Sequence, residues 1–267
     1  MKKFKTFRPT AFAFPYVAVT IVFVIVPLIL VLVYSLIGSD GTLTFNNFID
    51  VFSEPENIRQ LGKTIGIATL STAICLAIAY PVAYILASSP FNKTPTLSLL
   101  FIIPMWINFM LRIFALKSML NMLGINQGYG AAVFGMVYDF FPYMLLPIYT
   151  VLSNMDKSFN EASLDLGANG VKTFLKVTLP LSLPGIISGI SMMFMPIFSS
   201  YSITMAMGDM NTSVIGAKIA TLFEQGVYGY GSALSFVLLV IVIAVMVIGS
   251  LLSGKTAKPT TGGKNDK

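Results

Sequence analysis

Six stretches of this chain run for about twenty residues with almost no charge, and that feature limits its fold more than any other. Twenty residues of α-helix cover roughly 30 Å, the hydrocarbon thickness of a bilayer. The stretches run from about Pro15 to Ile37, Thr64 to Ser88, Leu97 to Leu116, Ala131 to Leu152, Leu183 to Met207 and Ala233 to Leu252. In hydrocarbon every backbone polar group must find its partner within the protein, so helices are expected throughout. Only 10% of the 267 residues are charged, where soluble domains carry roughly 25%. Too little charge remains to cover a water-facing surface. The expected class is an all-α integral membrane protein with six transmembrane helices.

The charges that do occur set an orientation. With six spans both ends lie on one side. That side then holds Lys2, Lys3, Lys5, Arg8, Lys93, Lys157, Lys172, Lys176, Lys255, Lys258, Lys264 and Lys267, while Asp40, Asp50, Glu54, Glu56, Asp209 and Glu224 face the other. Bases concentrate on the cytoplasmic side of multi-pass proteins, so both termini are expected in the cytoplasm of a cell-membrane protein. The same scatter of bases offers no groove for phosphates, and no nucleic-acid partner is expected. The opening MKKFKTFR has the charge of a signal peptide, but the apolar run behind it is too long for one and reads as a retained helix.

The chain contains no histidine and a single cysteine, Cys75, within an apolar run. Disulfides and a cysteine metal site are therefore excluded, and no metal site is expected. A membrane-embedded enzyme would have to assemble its polar centre without histidine. Prolines 27, 81, 104, 142, 147 and 196 fall inside spans and are expected to kink them. Gly62 with Gly66, and Gly185 with Gly189, have the spacing for close helix approach. In the first outer loop Phe45, Phe48 and Phe52 recur at helical spacing behind Thr44, a capping residue. That short helix either lies at the membrane surface or packs on the bundle.

The longest cytoplasmic loop, 153–182, has the most internal structure. Ser158 and Glu161 have capping-box spacing, so a helix is expected to start there. Phe159, Ala162 and Leu166 share a face, and Gly167 and Gly170 supply a turn. A second amphipathic piece sets Phe174 and Val177 against Lys172 and Lys176, with Pro180 expected to break it before the fifth span. A plain connector could be far shorter. An amphipathic knob of this kind wants a partner groove.

Glu161-Ala162-Ser163, three residues, Gly167, and then Leu179-Pro180 resemble the EAA loop of binding-protein-dependent ABC importer permeases. Ser163 stands where the family has a second alanine. The resemblance implies the type I ABC importer permease fold, with this loop as the coupling helix that docks on a cytoplasmic ATPase through Glu161, Ala162, Ser163, Asp165, Gly167, Phe174, Leu179 and Pro180. It also implies a second permease subunit, two ATPase subunits that carry ATP and Mg, and an extracytoplasmic binding protein. The chain itself has no phosphate-binding loop, so no cofactor on it and no enzyme activity are expected.

Pro104, Trp106, Asn108 and Arg112 in the third span, and VYDFFPYMLLPIY in the fourth, are similar to the PotB-type permease of spermidine/putrescine importers. That likeness implies a polyamine as cargo and a PotC-type partner. A flexible polycation is suited by carboxylates and aromatic faces. Trp106, Asn108, Arg112, Tyr138, Asp139 and Tyr143 are the candidate pathway residues. Asp139 and Arg112 either line the path or pair with each other to fix two helices. Trp106 and Tyr138 either meet substrate or anchor at the interface, where Tyr16 and Tyr34 are expected. An importer of another small solute (thiamine-, iron- or phosphonate-type) and a secondary transporter are the alternatives. The division expected is a cytoplasmic segment 1–14, a permease domain 15–252 and a disordered tail 253–267.

Overall fold

The structure is a computed structural model that describes residues 10–38, 40–88, 100–101, 103–209 and 212–254. Most of the N-terminal segment and of the tail thus lies outside the described residues, although helix persists to Gly254. The chain divides into two compact units, Met1–Ile58 with Lys218–Val240, and Arg59–Ala217 with Ile241–Lys267.

The first membrane helix is built from α1 (Thr10–Thr20), a π turn (Ile21–Ile25) and α2 (Val26–Ser35). The π turn has a cause. Pro27 has no N–H and its ring crowds the carbonyl four residues back. The backbone widens just before it, and the Val26 N–H reaches the Ile21 carbonyl, five residues back. After Ser35 the chain forms a small loop closed by an Ile37–Leu43 bridge and enters α3 (Asn46–Ser53). Thr44, expected to cap this helix, instead stands one residue before the N-cap Phe45, its hydroxyl accepting the Asn46 N–H at 3.1 Å. Phe48 and Val51 face inward, with the Phe48 ring 6.1 Å from that of Phe236, whereas Phe45, Ile49 and Phe52 are exposed. The helix therefore packs on the protein through Phe48 and Val51, as one of the two expectations had it.

The second unit is organised by α4 (Pro55–Ser88), α5 (Phe109–Met122), α6 (Tyr129–Ser153), α7 (Ser158–Asp165), α8 (Gly170–Thr173) and α9 (Leu179–Ser199). Short α10 (Tyr201–Met207) and α11 (Ile215–Glu224) precede the last long helix, α12 (Tyr228–Gly254). Helices α6 and α9 are antiparallel and in close contact. A Cβ on Gly185 would stand 2.9 Å from the Pro147 carbonyl, and one on Gly189 3.0 Å from that of Met144. This is the close approach that their spacing predicts. Gly62 and Gly66 show no such approach: around Gly62 the space is open.

Among the described residues, five helices are long and apolar enough to cross a membrane: Pro15–Ser35, Pro55–Ser88, Tyr129–Ser153, Gly170–Phe198 and Tyr228–Val247. The span expected at 97–116 is instead broken. A 3₁₀ turn occupies Ile103–Trp106, and α5 restarts behind Asn108, whose side chain accepts the N–H groups of Met110 and Leu111 at 2.9 and 3.4 Å. Pro104 cannot continue a helix, and a free-standing cap at Asn108 starts a new one. Among the described residues, no sixth helix of membrane length lies here. The Ser88 end of α4 lies beside the 154–169 connection, where Tyr84, Ala87 and Ser88 share a cavity with Ser153, Lys157 and Glu161. Tyr129 lies at the other end, near Gly66. Ser88 and Tyr129 thus lie toward opposite ends of α4.

Two further expectations are corrected. Pro180 does not break the helix before the fifth span. A second π turn (Phe174–Thr178) precedes it, with the Leu179 N–H bonded to the Phe174 carbonyl, so helix is continuous from Gly170. The fifth span instead ends early, at Ser199, and resumes as α10.

Candidate functional site

Two sets of side chains carry the functional expectations. The first is the 153–182 loop. Helix α7 does not start from a Ser158 capping box: the Asp156 carboxylate accepts the Ser158 N–H at 2.9 Å, and Ser158 is the first helical residue. Those hydrogen bonds hold the Asp156 carboxyl below its ordinary range. Gly167 ends the helix with φ +81°, a conformation that a side chain would strain. Asn169 then caps α8, accepting the Lys172 N–H at 2.8 Å.

The loop is fastened to the helix that follows it. Ser163 and Thr173 share a hydrogen bond of 3.0 Å, and the Thr178 hydroxyl donates to Asn160 at 3.2 Å. The residue that departs from the family's second alanine is thus a structural tie. Phe174 is wedged edge-on between Tyr80 and Tyr84, at 5.8 and 5.5 Å, so it roots the loop in α4. The Tyr80 hydroxyl and Ser182 are 2.9 Å apart. Outward, Glu161, Ala162, Asp165 and Gly167 are exposed, with Leu164 and Val171 exposed beside them and Leu166 at 89%. Leu179 is half-buried and Pro180 exposed. The result is a projection tied to α4 and the helix behind it, whose exposed side chains are apolar, acidic and, at Lys157, Lys172 and Lys176, basic.

The second set lies on the 3₁₀ turn, α5 and α6. Arg112 and Asp139 come together: Nη2 is 2.7 Å from Oδ1, with the side chains 8% and 2% exposed. The contact is an ion pair without an aligned hydrogen bond, and Arg112 Nε has no partner among the described residues. The other candidates do not converge on it. Asn108 is occupied as a cap. Trp106 is 88% exposed on the 3₁₀ turn. Tyr138 lines a separate, apolar cavity of about 390 Å³ with Phe101, Pro104, Phe134 and Phe141. Tyr143 is half-buried, its ring 5.8 Å from that of Phe140. The Ser71 and Thr72 hydroxyls on α4 are buried without partners among the described residues. Nothing in the sequence separates them from ordinary helix interior.

The first unit holds a polar cluster that sequence reasoning missed. Glu54 accepts from Lys218 at 2.9 Å and from the Tyr230 hydroxyl, and Lys218 also donates to Asn57 at 2.7 Å. Asn57, fully buried, donates to the Val51 carbonyl and the Tyr230 hydroxyl. The Tyr230 hydroxyl first and Lys218 second hold the Glu54 carboxyl below its usual range. The one signal in the sequence is Lys218, a lone base in the apolar run IGAKIATLF.

Residues 79–258 match the family described as binding-protein-dependent transport system inner membrane component. The chain is 30% identical over 245 residues to the spermidine/putrescine transport system permease protein PotB of Haemophilus influenzae, covering 83% of this chain and 85% of that one. It is 28% identical to the protein of the same name from Escherichia coli, over 83% and 89%. Among solved structures, a chain of a bacterial alginate ABC transporter, in complex with an alginate pentasaccharide-bound periplasmic protein, superposes with a TM-score of 0.74 at 15% identity, covering 93% of this chain and 94% of that one. A chain of the inward-facing MetNI methionine ABC transporter gives 0.61 at 17% identity, over 75% and 96%.

Proposed function

The chain belongs to the family of inner membrane components of binding-protein-dependent transport systems, and from that premise we propose that it is the permease subunit of an ATP-driven importer of polyamines. The observation that supports the cargo is its likeness, over most of both chains, to permeases named for spermidine and putrescine. The observation that supports the mechanism is the α7 projection. A part that transmits force must be stiff, and this one is closed by Gly167, tied by Ser163 and Asn160, and rooted by Phe174.

In this reading both termini and the projection face the cytoplasm. The apolar face around Leu164, Leu166 and Val171 enters a groove on an ATPase subunit, with Glu161 and Asp165 at its rim. Two ATPase subunits hold ATP and Mg and hydrolyse the nucleotide. A second, PotC-type permease completes the path, and an extracytoplasmic binding protein delivers the cargo. Closure of the ATPase pair displaces α7, and the continuous helix Gly170–Phe198 carries the motion into the membrane. Asp139 supplies the path with a carboxylate for the passing cation, and Arg112 tunes its field.

The test is ATPase activity of the reconstituted complex with its binding protein, titrated with spermidine and putrescine. Stimulation by either is expected, and Glu161→Lys is expected to abolish it. A response to another solute alone would keep the importer and remove the polyamine. Failure to associate with any ATPase would remove both.

A further inference from the structure

We propose that the cavity between the 36–54 connection and the start of α12 receives a primary ammonium group, of the kind that a polyamine carries. Its polyamine occupant rests on the function proposed above. All of its walls belong to the first unit. The cavity holds about 520 Å³, within the roughly 300–1,000 Å³ of small-molecule sites.

Its chemistry has one sign. Tyr34, Tyr228 and Tyr230 line it together with Asp50 and Asn47. The Tyr34 and Tyr228 rings stand 6.4 Å apart, tilted by 52°, as the sides of an open wedge. Asp50 is exposed and has no ion pair or side-chain hydrogen bond among the described residues. Asn47 spends its amide N–H groups on the carbonyls of Ser35 and Ile37, at 3.0 and 2.9 Å, which leaves its oxygen as an acceptor. No basic side chain is among the lining residues. Lys218 reaches the Tyr230 ring at 5.7 Å, but Glu54 neutralises it at 2.9 Å, so Asp50 sets the local charge. Gly229 keeps the walls close, because a Cβ there would strike the Ile37 carbonyl. Carboxylate, amide oxygen and aromatic faces are what an organic ammonium with a methylene tail requires. An anion would find no charged donor.

The same group is offered by a polyamine and by an ethanolamine lipid headgroup. The complex with its partner permease and ATPase subunits, in phosphatidylcholine nanodiscs without binding protein, is dialysed against radiolabelled spermidine. Saturable binding is expected, weakened on the order of fivefold or more by Asp50→Asn and by Tyr228→Leu and retained by Tyr228→Phe. Asp50 is exposed, so its loss does not threaten folding. Equal binding by wild type and Asp50→Asn overturns the polyamine site. If instead wild type retains phosphatidylethanolamine through washing, Asp50→Asn loses it and spermidine binding is the same in both, the ammonium site stands and its polyamine occupant is overturned. Uptake by wild type into proteoliposomes, with binding protein, is measured separately. Absence of uptake defeats the functional reading, whereas uptake with unaltered Asp50→Asn binding defeats the site alone.

Discussion

Arg112 and Asp139 hold two charges inside membrane-spanning structure, 2.7 Å apart and nearly sealed from solvent. Each costs roughly 2.5–3.5 kcal/mol at a helix centre by insertion measurements, so their presence asks for a reason. Mutual neutralisation is one, and it is visible. Hydrogen bonding is not, since the contact is poorly aligned and Nε is unpartnered. A pair kept only for packing would be better satisfied, or replaced by apolar residues at no loss. Asp139→Asn strands the arginine and is expected to lower stability by roughly 3–5 kcal/mol. Replacing both residues by leucine is expected to restore the thermal midpoint of the purified complex but not polyamine uptake. Recovery of uptake in the double variant would reduce the pair to a structural role. Both residues are conspicuous in the sequence as lone charges in apolar runs. Their pairing is one of the two sequence expectations and is observed, whereas its poor alignment depends on how the segment before α6 lies against it.

At the scale of elements, the long apolar runs were legible because burial in lipid leaves helix as the economical answer for an isolated span. What misled was proline. Pro27 reads as a kink and Pro180 as a break, yet each sits behind a π turn that re-routes the backbone bond it removes. Pro104 instead lies in a 3₁₀ turn, and Asn108, four residues on, caps the helix that follows. The difference lies in the neighbouring hydrogen bonds, which composition does not report. Glycine spacing shows the same limit. Gly62-x-x-x-Gly66 and Gly185-x-x-x-Gly189 are the same pattern, but only the second meets another backbone. Gly185→Ala must displace Pro147 or Ile148 and is expected to cost roughly 1–3 kcal/mol. Gly62→Ala meets open space in mid-helix and is expected to stabilise by up to about 1 kcal/mol. Thermal midpoints of the two purified variants, shifted in opposite directions, check this. A shared direction would show that α6 and α9 relax more freely than their contact suggests.

For the whole molecule, the orientation in the membrane decides whether the projection can meet an ATPase and whether the Tyr34–Tyr228 cavity can meet arriving solute. Under the orientation proposed from the charge asymmetry, the 154–169 connection is expected inside and the 36–54 connection outside. Helix α4 ends beside the 154–169 connection, and its 34 residues give it about 51 Å, more than a bilayer's hydrocarbon. A helix of that length is expected to cross the bilayer once. Cys75 is the only cysteine and is fully buried, so single reporters can be added without a competing exposed thiol. In whole cells a membrane-impermeant maleimide is expected to label Asp40→Cys at once and Leu166→Cys only after permeabilisation; both positions are exposed. Labelling of both from outside would contradict a spanning α4. The reverse order would turn the molecule over, set the α7 projection away from any cytoplasmic ATPase, and leave the charge asymmetry without a topological meaning.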